Sequence, residues 1–459
     1  MFDNAYLASF PTIPHRTDVF TGRFGEPLHP WLPLAFSATT LPELMGRAGW
    51  ATQLTFDCPH LINGGHNFDY PFHGWHFERG NEVDRHITDD AGPDRDDRWA
   101  RTYGERMLRF TYPQYVRNNR YRWLEEQWPA PRTFKAAGEF VERNRRREKW
   151  FLWIDSFDPH EPWDPPDHYV ALYDDPDYDR GHQMMGWEPM SALSPRDLKH
   201  VQAHYAGEVT MVDAHVGRFL DRLAATGRDK DTMVIITCDH GTNAGDHGLL
   251  SKGGPVYEQV GHQVLMVRLP GATPGRRSGI VQPPDILPTI LELCDVPLPE
   301  GLQGRSFAPL VTAGEDAPFR DVAISGGAIH VARQEEAHLT AQDARWCLVD
   351  WTDPAKRELY DKSVDRAETH NVAAEHPQEV ARLHAAVVQF LRTHEAHPAL
   401  VQWFETGVKG DTTGFRWCDP YLDHYVQYFM RALDEPLHGA SSKGAIEESG
   451  MGYIAKAGG

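Results

Sequence analysis

The chain has 459 residues, 41% of them hydrophobic and 24% charged, and that length predicts one large and one small domain rather than a single core. A formal net charge of −20 excludes a general nucleic-acid binder, which needs a basic surface to displace counterions. It leaves room for an anionic substrate, because a local cluster of Arg, Lys and metal can invert the field in one cleft.

In chain order, Ser9 to Arg23 reads as a Pro-containing loop running into a helix that starts near Pro14. Leu41 to Ala48 has a helical pattern, and Ala51 to Phe56 reads as a buried strand. Trp150 to Ser156 is a second strand, ending in a polar, Pro-rich segment. Pro195 to Ala225 is the clearest helix: Ser194 caps it, Pro195 suits its first turn and Gly227 follows its end. Leu198, Val201, Tyr205, Val209, Val212, Val216, Phe219 and Leu223 recur at three- and four-residue steps and predict its buried stripe. Met233 to Thr237 and Gln263 to Arg268 complete the strands. Strands alternating with helices predict an α/β domain over residues 1–310, with a mainly parallel central sheet flanked by helices. In such folds the chemistry sits past the carboxyl ends of the strands.

The pattern changes after about Leu310. Asp321 to Ile324 and Arg345 to Asp350 read as short strands and Pro377 to Thr393 as a helix, which predicts a small α+β domain over residues 311–395. Residues 396–459 read as an irregular tail, rich in Gly, Ser and Ala from Gly439. No apolar run reaches 18 residues, so neither a spanning helix nor a membrane partner is expected. Cys58, Cys238, Cys294, Cys347 and Cys418 are scattered and odd in number, with neither a disulfide framework nor CxxC spacing. Met1 to Tyr6 lacks a basic start and an apolar core. Together these predict a cytoplasmic, reducing setting.

Three segments carry chemistry. In Thr232 to Lys252 a buried strand delivers Asp239 and His240 to its carboxyl end, and a hard carboxylate beside an imidazole is half of a divalent-metal site. Lys252, thirteen residues on, is placed to bind an anionic group; a surface turn with incidental histidines is the alternative. In Phe151 to Trp163 a strand ends in a loop whose two prolines hold His160, a general acid or anion contact, or else a packed loop histidine. In Ser9 to Arg23, Thr12 is a candidate hydroxyl nucleophile and Arg16, one turn later, a candidate clamp for the reacting anion. A plain Pro-rich loop is the alternative there.

Taken in this order, the segments resemble the sulfatase family of the alkaline phosphatase-like superfamily. Thr12-Ile13-Pro14-His15-Arg16 and Thr21-Gly22-Arg23 stand where that family has Cys/Ser-x-Pro-Ser-Arg and Thr-Gly-Arg. Cys58-Pro59-His60 matches its Lys-x-His motif in part, and Asp158 to Pro162 looks like its active-site histidine loop. Asp239, His240 and Lys252 fall on two metal ligands and the anion-binding lysine, and Glu358 to Asp361 looks like its C-terminal domain. The resemblance covers about residues 2–393. It implies one divalent metal (Ca, Mg or Mn before Zn) and hydrolysis of a sulfate ester, with Arg16, Lys252 and His60 stabilising charge and His160 protonating the leaving oxygen. The substrate class implied is a small-molecule or carbohydrate sulfate or phosphate ester, with homo-oligomerisation left open.

Two departures bear on this. Threonine cannot become the formylglycine that family sulfatases make from Cys or Ser, so Thr12 implies direct attack. That favours a phosphodiester, phosphomonoester or phosphonate-ester hydrolase as the second reading, and a catalytically inactive sulfatase-like binding protein as the third. The family also begins with a strand bearing two acidic metal ligands, whereas this chain reaches Thr12 almost at once. Asp239 and His240 fall short of the four or more ligands a divalent metal takes. A misassigned start or a fragment is therefore expected.

Overall fold

The computed structural model describes residues 1–25, 31–63, 65–88, 101–102, 112–184, 193–252, 254–314, 316–327 and 335–411. In chain order the elements used below begin with β1 (Ser9–Phe10), α1 (Thr12–Thr21), α2 (Leu41–Arg47), β2 (Ala51–Phe56) and β3 (Gly74–Phe77). Next come α3 (Pro129–Arg143), β4 (Trp150–Asp155), α4 (Pro195–Ala225), β5 (Val234–Thr237) and β6 (Leu265–Arg268). The last are β7 (Ala323–Gly327), β8 (His338–Gln342), β9 (Trp346–Trp351), β10 (Glu358–Asp361), α5 (Pro377–Thr393) and α6 (Pro398–Thr406).

The chain forms two compact units. The first holds Met1–Ala48, Thr232–Thr242 and the described residues from Gly254 onward; the second holds Gly49–Asp231 and Asn243–Gly253. In the first, the sheet order is β1-β7-β8-β9-β10, with β1 parallel to β7 and the other pairs antiparallel. Helix α5 lies on this sheet and buries Leu383, Val387 and Leu391 against Leu339, Leu348 and Leu359. Helix α6 adds Leu400, Trp403 and Phe404 to the same cluster. The opening residues are extended and buried: the Phe2 N–H donates to the Leu265 carbonyl (3.0 Å) and the Tyr6 N–H to that of Val281 (3.0 Å). Strands β5 and β6 pair antiparallel, with Thr237 opposite Leu265.

In the second unit β2 lies between β3 and β4, parallel to both, and Ala51 faces Trp150 while Phe56 faces Asp155. This register brings the carboxyl ends of β2 and β4 side by side. Helices α3 and α4 pack through Phe134 and Phe219, with Arg222 bonded to Glu142 (2.9 Å). A Cβ at Gly138 would lie 2.7 Å from the Arg222 guanidinium, so glycine admits that side chain.

The strand and helix readings agree with these elements to within a residue or two, except that the strand read over Asp321 to Ile324 runs from Ala323 to Gly327. The fold is α/β, with parallel strands and flanking helices. Three readings are corrected. Residues 398–406 are helical rather than irregular, because His397 caps the helix through the Ala399 N–H and Gly407 closes it in the left-handed conformation. The β5–β6 pair departs from the parallel pattern. The buried face of α4 also differs from the apolar stripe: Val209 is exposed, whereas His200, His204, Glu208 and His215 are buried with Val201, Met211, Phe219 and Leu223. The Gly-, Ser- and Ala-rich tail from Gly439 falls outside the described residues. Among the described residues no helix is long and apolar enough to cross a membrane.

Candidate active site

Thr12 sits where β1 turns into α1. It is the first residue of the helix, preceded by Pro11, and Pro14 stays within the first turn, where its missing N–H is harmless. The helix therefore begins two residues earlier than expected, with the free N–H groups of its first turn beside Thr12. Gly22 ends it with φ +65, its N–H on the Asp18 carbonyl, which explains the Thr-Gly-Arg segment. Asp18, wholly buried, ties the segment together. Its carboxyl oxygens accept from the Ser9 N–H (2.8 Å), the Ser9 hydroxyl (2.7 Å) and the Gly25 N–H (2.5 Å). Burial pushes Asp18 up to about 8, opposed by those donors.

Arg16 Nη1 donates to the Thr12 carbonyl (3.0 Å) and to Asp239 Oδ2 (2.7 Å). Asp239 arrives at the carboxyl end of β5, and its Oδ1 accepts the His240 N–H (2.8 Å). Burial acts to raise the Asp239 carboxyl, but His240, Arg16 and His15 hold it well below the usual carboxylate range. His240 Nδ1 bonds the Gly241 carbonyl (2.7 Å), which places the ring proton there and leaves the Nε2 lone pair 3.7 Å from Asp239 Oδ2. Gly241 is required by close approach: a Cβ would lie 1.9 Å from the Gln259 carbonyl oxygen. His15, which sequence reasoning passed over, is buried with no hydrogen bond to either ring nitrogen, and burial lowers it to about 3.

The other expected residues gather in the second unit. His60 follows β2, on the short turn Pro59–Leu61, and its Nε2 meets Glu82 Oε2 at 2.9 Å. Burial acts to raise Glu82, but His60, His160 and Lys252 hold it at about 2, a fixed anion. His160 follows β4 and stacks on Phe157, with ring centres 3.9 Å apart. Its Nδ1 donates to the Glu161 carbonyl (2.5 Å), and its Nε2 faces the Lys252 ammonium. Burial pushes His160 down to about 4, with Glu161 pulling the other way. At neutral pH the ring is therefore neutral, with Nε2 as the acceptor facing Lys252. Glu161 is the counter-ion missed in the sequence. Its Oε1 accepts from Lys252 Nζ (3.0 Å) and the Ser251 hydroxyl (2.8 Å).

Thr12, Arg16, Asp239 and His240 thus share one unit, and His60, His160 and Lys252 the other. Nothing in the spacing marks Asp18, Glu82 or Glu161, whose partners are brought in by the fold, or His15, whose burial only the packing decides.

The family model for sulfatases matches residues 1–296, and that for the C-terminal region of N-sulphoglucosamine sulphohydrolase matches residues 245–395. Among solved structures, the phosphonate monoester hydrolase of Silicibacter pomeroyi superposes with a TM-score of 0.64 at 21% identity, covering 86% of this chain and 88% of that one. A protein solved with D-glucosamine-2-N,6-O-disulfate as its substrate gives a TM-score of 0.64 at 17% identity, covering 86% and 90%. These likenesses define an alkaline phosphatase-like fold. The chain belongs to the sulfatase family. It is 26% identical to an arylsulfatase of Clostridium perfringens, covering 41% of this chain and 44% of that protein. It is 28% identical to a multifunctional alkaline phosphatase superfamily protein of Trinickia caryophylli, covering 48% and 50%. The chain thus spans about half the length of these curated relatives.

Enzymes of the family generally use a divalent metal. Asp239 and His240 offer two donor atoms of suitable chemistry, and among the described residues no third His, Cys, Asp or Glu closes on them. Two donors are half of a first shell.

Proposed function

We propose that the chain is an ester hydrolase acting on sulfate esters, with the Thr12 hydroxyl as nucleophile. The observation that carries the reading is Arg16, bonded at once to the Thr12 carbonyl and to Asp239. That arrangement fixes a planar cation one helical turn from the nucleophile. Thr12 Oγ1 gives its proton to solvent as it bonds to sulfur, the ester oxygen leaves with its electron pair and is protonated, and water then attacks the threonyl sulfate, releasing sulfate and returning a proton to Thr12 Oγ1. From their chemistry, Lys252 and His60 carry the anion-binding roles, and the Lys252 ammonium with His160 supplies the leaving-group proton. The sulfatase matches support this reading, and a carbohydrate or small-molecule sulfate is the substrate class it implies. The metal, when bound, would be Ca, Mg or Mn on Asp239 and His240, polarising the ester oxygens. The division that goes with this reading is a catalytic domain over residues 1–310 and a C-terminal domain over 311–395; the sulfatase model covers 1–296, and the C-terminal model covers 245–395 and overlaps it.

A second reading, a phosphodiester, phosphomonoester or phosphonate-ester hydrolase, is favoured by Thr12 and by the Nε2 lone pair that His240 keeps beside Asp239. A panel of aryl sulfates, phosphomonoesters, phosphodiesters and phosphonate esters separates the two. Thr12→Ala is expected to abolish turnover on the preferred ester with the fold intact. Wild-type rates in that variant would exclude direct attack, and no turnover of any ester by the wild type would favour the inactive binding protein.

A further inference from the structure

Helix α4 buries imidazoles where a simple packing helix buries aliphatic side chains. His200 and His204 lie one turn apart on its inner face, and His182, from the preceding segment, comes onto the same spot. One nitrogen from each ring lies within 4.8 Å of the other two. His182 Nδ1 and His204 Nε2 are 3.1 Å apart with their rings stacked, and His200 stands edge-on to His204 with centres 4.5 Å apart. A tetrahedral zinc ion with Zn–N bonds of about 2.0–2.1 Å separates its nitrogen ligands by about 3.4 Å. The stacked pair is already close to that spacing, and the His200 nitrogen, within 4.8 Å of the other two, needs to move in by at most about 1.4 Å.

The outer contacts point the same way. His200 Nδ1 bonds Asp174 Oδ2 (2.7 Å), and His204 Nδ1 bonds the Trp163 carbonyl (3.1 Å). Both partners hold the proton on Nδ1, as a carboxylate or carbonyl does behind a zinc-bound histidine, so Nε2 is the lone-pair nitrogen of each ring; that of His204 accepts from His182 Nδ1. His200 Nε2 is then a buried acceptor with no hydrogen bond, on a ring 6% exposed. Packing alone leaves that nitrogen unexplained, and a cation satisfies it.

We propose that His182, His200 and His204 bind one zinc ion, with water as the fourth ligand, as a site made of different residues from Asp239 and His240. The donor set is all nitrogen with Cys absent, which suits Zn²⁺ and disfavours Ca²⁺ and Mg²⁺. Its effect is structural. Zinc ties the Asp174–His182 segment to α4 and, through His204 and Trp163, to the loop of His160, since Trp163 Nε1 donates to the Pro159 carbonyl (3.1 Å).

The test uses the full chain, stripped with chelator and dialysed against Zn²⁺. The wild type and Asp239→Ala are both expected to retain one zinc per chain, whereas His200→Ala and His204→Ala lose it or bind at least 100-fold more weakly. Cobalt(II) in place of zinc gives a readout that needs no histidine variant: tetrahedral visible bands are expected in the wild type and in Asp239→Ala. No zinc in the wild type, no tetrahedral cobalt bands, or zinc lost on Asp239→Ala alone would each overturn the site. So would folded His200→Ala protein that binds zinc as the wild type does.

Discussion

Glu161 is a buried anion whose replacement by glutamine tests how the Lys252 charge is held. Its Oε1 accepts from Lys252 and Ser251, and both Glu161 and Lys252 are almost wholly buried. Removing one partner of a buried ion pair costs about 3–5 kcal/mol, because the other charge is left uncompensated. Glutamine keeps an acceptor oxygen in place, and each of the two retained bonds returns about 1 kcal/mol, so a net loss of about 1–3 kcal/mol is expected at pH 7. The sign with pH follows from the direction of the shift. Burial acts to raise Glu161, but His160 and Lys252 hold its carboxyl well below the ordinary range. The wild-type advantage is therefore present above the unfolded value of about 4.3, and is lost as pH falls from there toward the folded value. Urea unfolding followed by tryptophan fluorescence at pH 7, 5 and 4 measures both the gap and its narrowing. The double variant Glu161→Gln/Lys252→Met, which removes both charges, is expected to be more stable than Glu161→Gln alone. A Glu161→Gln loss below about 0.5 kcal/mol at pH 7, or a double variant less stable than the single one, would refute the reasoning.

Arg16→Lys keeps the charge but loses the planar fork shared between Thr12 and Asp239; kcat/KM is expected to fall about 100-fold, and an unchanged value would remove Arg16 from charge stabilisation. Gly241→Ala sets a Cβ against the Gln259 carbonyl and is expected to cost about 3 kcal/mol or more in urea, since backbone rather than a movable side chain is in the way. Burial lowers His66 to about 3, so the unfolded chain takes up its proton near pH 6.5 and the folded one does not. From pH 7 to pH 5 this costs the wild type about 2 kcal/mol that His66→Gln does not lose, and equal pH slopes in the two proteins would contradict it.

Local order in the sequence determined a good deal. The limits of α4 follow from Ser194, Pro195 and the Ser194–Asp197 capping pair, all within one turn. The strands Ala51–Phe56 and Trp150–Asp155 were legible because a short apolar run needs only its own neighbours to be recognised. The order of the Thr12, His160 and Asp239 segments was likewise legible, and with it the family. What only tertiary structure decided is which groups meet. Glu161 and Lys252 lie 91 residues apart, and Arg16 and Asp239 lie 223 apart; no periodicity links them. The inner face of α4 was misjudged for a related reason. A helix presents several faces of similar hydropathy, and the neighbours at Trp163 and Asp174 selected the one bearing His200 and His204. Hydrogen bonding within a turn is written in adjacent residues, whereas the pairing of buried charges and imidazoles is set by the packing of distant ones.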